Sequence, residues 1–139
     1  MDKIIVLLAT LALGGCDSPI EHYQGDPVDV LTSGFWDWDG ADDFCNANPH
    51  SIRVSDDKKS LSVEFHDGRS GLIVAETRYT INSIIGPVLS TDMDGEDRTD
   101  EHGNFVSWDL IVNSTDQYCW RRSDWSETRC SASRLRCEL

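Results

Sequence analysis

Apolar and polar residues alternate along much of the chain, with the two-residue period of a strand that buries one face. Ser60-Leu61-Ser62-Val63-Glu64-Phe65-His66 alternates cleanly and places Leu61, Val63 and Phe65 together. Phe105 to Asn113 repeats the pattern with Val106, Trp108, Leu110 and Val112. Ser51 to Val54 is a shorter run, and Gln117 to Arg122 returns after a turn at Ser114-Thr115-Asp116. Asp67-Gly68 is a strong hairpin signal, which makes Gly71 to Ile81 an antiparallel partner for the strand before it. Asn82 to Thr91 reads as one or two further strands broken at Gly86-Pro87, and residues 92–104 as an acidic loop. No long helical periodicity interrupts the series. The expected fold is all-β: a small antiparallel meander closing into a barrel, because closure removes exposed edges. The tail from Ser123 to Leu139 is expected as a short helix or a disulfide-held coil.

The amino terminus carries a different pattern. Ile4 to Leu13 is an unbroken run of ten residues, apolar but for Thr10, after Lys3. A helix that spans a bilayer needs roughly 20. The run suits the apolar core of a secretion signal, and small residues follow it as a cleavage site requires. Leu13-Gly14-Gly15-Cys16 resembles the lipobox of bacterial lipoproteins. The resemblance implies that Cys16 receives a diacylglycerol, that the bond before it is cut, and that the new amine is acylated. Residues 1–15 would then be a signal peptide and Cys16 the first residue of the mature chain. More than one acyl chain gives stable membrane anchoring where a single chain would not. Asp17 resembles the residue that retains enterobacterial lipoproteins in the inner membrane; the choice of membrane stays open. Residues 16–33, polar and with two prolines, are expected to form a tether, and a single domain would occupy 34–139.

Charge narrows the partners. The chain has a formal net charge of −13, unevenly spread. Residues 16–117 hold 6 basic and 21 acidic side chains, whereas 118–139 hold five arginines against three acids. So acidic a body repels nucleic acid and anionic lipid surfaces and would attract a basic protein. Setting Cys16 aside leaves Cys45, Cys119, Cys130 and Cys137, an even set in an exported chain that reads as two disulfides. Three connectivities are open; Cys119–Cys130 with Cys45–Cys137 is preferred, tying the tail to the start of the domain. The spacing lacks the C-x-x-C pairs of a zinc site.

Gly34-Phe35-Trp36, just before the first strand-like element, resembles the Gly-x-Trp motif that opens lipocalin and calycin barrels. That resemblance implies a Trp36 that plugs the closed end of the barrel, packed against an arginine of the last strand. Arg121 or Arg122 is expected to supply the guanidinium.

No catalytic constellation emerges. The acidic runs at Asp37–Asp43 and Asp92–Asp97 miss the register of a calcium loop and read as solvated turns. His22, His50, His66 and His102 are scattered, and no nucleophile or phosphate-loop motif is present. Neither a metal nor a cofactor is expected, and the chain is not expected to be an enzyme. Tyr118-Cys119-Trp120-Arg121-Arg122-Ser123-Asp124-Trp125 is the densest aromatic and cationic stretch. Such residues are enriched at binding hot spots. Trp120 is expected in the core, with Trp125, Arg121 and Arg122 as candidates for recognition. The sequence thus points to a lipid-anchored, periplasm-facing binding module, an inhibitor or immunity-type protein for a basic partner. A lipocalin-like carrier of a small apolar ligand is the alternative, and a structural lipoprotein of the envelope a third reading. An open apolar cavity would favour the carrier, a solid core the inhibitor.

Overall fold

The computed structural model describes residues 23–126 and 132–138. The signal segment 1–15, Cys16, and the Cys130 half of the expected Cys119–Cys130 bridge lie outside the described residues.

A short helix and eight strands follow in order: α1 (Pro27–Leu31), β1 (Trp36–Trp38), β2 (His50–Val54), β3 (Ser60–His66), β4 (Ile73–Ile85), β5 (Val88–Met93), β6 (Trp108–Ser114), β7 (Gln117–Arg122) and β8 (Ala132–Arg136). Each strand pairs antiparallel with the next, and β1 also pairs with β8, so the sheet closes. The expected all-β meander is thus an eight-stranded barrel. The alternating faces behave as expected: Leu61, Val63, Leu110 and Val112 point into the core with Trp36, Leu89 and Tyr118, all fully or nearly fully buried. Register shifts in β4, between Ile81 and Ser83, and in β6, between Val112 and Ser114, bend these strands as closure requires.

The two ends of the barrel differ. One end carries the short connections β2–β3, β4–β5 and β6–β7; the other carries the longer β1–β2, β3–β4, β5–β6 and β7–β8. The two-residue β4–β5 turn needs a left-handed backbone at Gly86 (φ 55°), a conformation glycine adopts at no steric cost.

The chain differs from expectation in three places. Residues 132–136 are not helix or coil but strand β8, which completes the barrel against β7 and β1. Its inward positions are Ala132, Arg134 and Arg136, so the strand has no apolar alternation to announce it. Residues 27–31, placed in the tether, are instead a helix. The Asp26 carboxylate caps it by accepting the Val28 amide at 2.9 Å, and Pro27 occupies its first turn. Val30 and Leu31 then enter the core, so the packed body begins before Gly34. The third difference lies in the hairpin after β3. It is a wider loop in which the Asp67 carboxylate accepts the amides of Arg69 and Ser70.

The Cys45–Cys137 bridge is present, closing 92 residues of sequence separation. Cys119 is also disulfide-bonded.

Candidate ligand pocket at the open end of the barrel

The short-turn end is shut. Trp36 is fully buried, and its indole Nε1–H donates to the Leu31 carbonyl at 3.2 Å. Arg136 stacks over its ring, 4.8 Å from the centroid. The expected tryptophan–arginine pair therefore exists, but Arg136 forms it, not Arg121 or Arg122. Register explains the change: Arg136 lies opposite Trp36 on neighbouring strands, whereas Arg121 and Arg122 lie opposite Asp109 and Trp108. The Arg136 guanidinium also donates to the Thr115 carbonyl from both Nε (2.9 Å) and Nη2 (2.6 Å), to Ser33 through its carbonyl and hydroxyl, and to Val30. It ties α1, the β6–β7 turn and β8 into one cap.

The long-loop end is open, and a cavity of about 240 Å³ descends from it into the barrel. Aromatic side chains form its wall. Tyr79 stacks on Trp120 at 4.9 Å, Trp108 meets Trp120 edge to face at 6.1 Å, and Trp125 meets Trp108 at 5.6 Å. The Trp108 indole N–H donates to Glu96 at 3.0 Å. Glu96 is in turn fixed by two bonds from Arg98, which hold its carboxyl down to about 2. The rim of the cavity is thus preset by the acidic β5–β6 loop.

Polar side chains converge among these rings, His50, Tyr118 and Arg134 among them. His50 is buried. Its Nδ1 meets the Asn48 carbonyl at 2.9 Å and its Nε2 bonds the Tyr118 hydroxyl. With Nδ1 donating to the carbonyl, Nε2 is left to accept from the phenol, so the ring is neutral. Burial is the main cause that lowers its pKa to about 4. Burial likewise raises the Tyr118 hydroxyl and takes Tyr79 to about 12. His50, Tyr79 and Tyr118 are thus uncharged at neutral pH.

Of the residues singled out in the sequence, Trp125 reaches the pocket and Arg121 does not. Arg122 sits near the rim, 6.0 Å from the Trp108 ring, engaged with Asp124 at 2.7 Å. Trp120 lines the cavity wall as well as the core. Trp38, His50, Tyr79 and Arg134 were not foreseen as site residues. A histidine or tyrosine inside a strand carries no mark of the face it takes until the register is known. Among the described residues no group of three His, Cys, Asp or Glu side chains is placed to hold a metal ion.

No family model, curated protein or solved structure gives a significant match to this chain.

Proposed function

We propose that this chain is a binding module of the bacterial envelope that holds a small, largely apolar molecule in the mouth of its barrel. One observation carries the reading: an aromatic-walled cavity of about 240 Å³, closed below and open above, with a few convergent polar groups. Pockets for drug-sized ligands are usually ~300–1,000 Å³, so the occupant is small. The lipocalin resemblance of Gly34-Phe35-Trp36 supports this, since Trp36 and an arginine of the last strand pack together at the closed end. The lipobox resemblance at Cys16 supplies the compartment and the anchor.

A second reading has its own observation. Leu72, Ile73 and Val74 are consecutive and all more than half exposed, beside the open end. Such a patch suits a protein partner, and the acidic body would favour a basic one.

Calorimetric titration of the mature protein with 2-naphthol tests the first reading. Saturable binding is expected, and Ala132→Phe, which fills the cavity, should abolish it while leaving the melting temperature near the parent's. Absence of saturation in the parent, or equal binding by the filled variant, overturns it. A basic protein that binds both forms while 2-naphthol binds neither would establish the second reading instead.

A further inference from the structure

Two arginines point inward from β8, two residues apart, and they are used differently. Arg136 spends its donors on Ser33, Thr115 and Val30, and pairs with Asp116 at 3.6 Å. Arg134 has one hydrogen bond, from Nη1 to the carbonyl of its own neighbour Ser133 at 3.1 Å, and lies 5.2 Å over the Trp38 ring. A guanidinium has five N–H donors. Among the described residues no carboxylate lies within salt-bridge distance of Arg134. Asp37 feels its charge, but that carboxylate is committed to backbone amides of the β1–β2 loop. Tyr79 and Tyr118, the other groups that interact with it electrostatically, are neutral phenols, and His50 carries no charge to oppose it. A half-buried cation in an aromatic pocket costs desolvation that one ring face, one backbone carbonyl and a committed carboxylate offset only in part. In a chain with 25 acidic residues against 12 basic ones, leaving this cation without an acid is a specific arrangement.

We infer that the pocket's ligand carries an anionic group, a carboxylate or its equivalent on a flat apolar body, and that Arg134 receives it while the tryptophan and tyrosine rings hold the body. This rests on the pocket being a ligand site, and it adds the ligand's charge. Planar guanidinium donors match a carboxylate in two parallel bonds, which lysine does not reproduce. The ring faces contribute stacking for a planar body.

The test compares two probes of the same shape, 2-naphthoate and its neutral amide 2-naphthamide, by calorimetry on the mature protein. The parent should bind the carboxylate about 10- to 100-fold more tightly, the effect of one charge-assisted hydrogen bond. Arg134→Gln should erase that preference while leaving amide binding within about twofold. Arg134→Lys, which keeps the charge and guards against a misfolded Gln variant, should retain part of it. Equal affinity of the parent for the two probes, or an unchanged ratio in Arg134→Gln, overturns the inference and leaves the small-ligand reading standing. Failure of the parent to bind either probe overturns both.

Discussion

The buried carboxylate of Asp37 accepts the backbone amide of Cys45 at 2.7 Å. It also accepts the amides of Trp38 (2.7 Å), Asn48 (3.1 Å) and Ala47 (3.2 Å). One side chain on β1 thus organises the whole β1–β2 loop, including the residue that carries the disulfide. Cys45 itself is held at φ 72°, uncommon for a residue with a Cβ. Asp37→Ala should destabilise the fold by about 2–4 kcal/mol, because four loop amides lose their one buried, charged acceptor together. Urea denaturation measures it; a change below about 0.5 kcal/mol, typical of a surface substitution, would remove Asp37 from that role.

The Cys45–Cys137 bridge closes a long stretch of chain and so restrains the unfolded state more than the folded one. Replacing both cysteines by serine should lower stability by about 2–4 kcal/mol, read as an earlier denaturation midpoint. The double variant should still bind 2-naphthol, since the bridge lies away from the cavity. Simultaneous loss of binding and secondary structure would mean the barrel cannot close without the bridge.

His50 gives the fold a pH dependence whose sign is fixed. Burial, with the Arg134 and His66 charges, lowers its folded pKa to about 4, against opposing effects of Asn48 and Asp37. The unfolded ring takes up a proton near pH 6.5, so between that value and about 4 the unfolded state binds more protons. The stability contributed by the neutral ring is therefore complete above pH 6.5 and lost as the pH falls towards 4. At about 1.4 kcal/mol for each pK unit, the loss is of order 3 kcal/mol. Denaturation of the parent and of His50→Gln at several pH values isolates this, since carboxylate titrations are common to both. Identical pH slopes in the two proteins would sink the assignment.

Arg136→Met should cost about 1–3 kcal/mol, because the closed end loses the guanidinium that covers Trp36 and ties the Thr115 and Val30 carbonyls together. Binding of 2-naphthol should survive, which separates Arg136 from Arg134 by function. Chemical denaturation and calorimetry on the same preparations provide both readouts.

Anchoring has its own check. Mass spectrometry of protein purified from membranes should find a chain that begins at an acylated Cys16. Cys16→Ser should leave the uncleaved chain without lipid. An unmodified amino terminus at Met1 in the parent would remove the anchor and the compartment drawn from it.

Much of the barrel was legible because its strands obey one rule. Leu61 and Val63, or Leu110 and Val112, alternate with polar residues as a half-buried strand must. Strand β8 escaped because its inward face is Ala132, Arg134 and Arg136, cations where the rule expects apolar side chains. Those arginines are tolerated because the Trp36 and Trp38 rings of β1 meet them and carbonyls of α1, the β6–β7 turn and β8 accept from them, mostly a circumstance of register and not of local sequence. Helix α1 had its signals, Asp26 before Pro27, but five residues show little periodicity. The Gly34-Phe35-Trp36 motif indicated the Trp36–arginine contact correctly in kind and misplaced it in sequence. The pocket was least legible, because Trp38, His50, Tyr79 and Arg134 come from four separate strands and meet only when the barrel closes.

Arg136 gathers α1 and the last residues of β8 at the shut end of the barrel, so the chain enters and leaves the body on the side away from the cavity. From Cys16 to Tyr23 the backbone can reach at most ~25 Å. Fat attached at Cys16 would therefore hold the protein like a goblet on a short stem, base towards the bilayer and lip towards the surrounding fluid. A molecule could then be taken up or handed on without the membrane in its path.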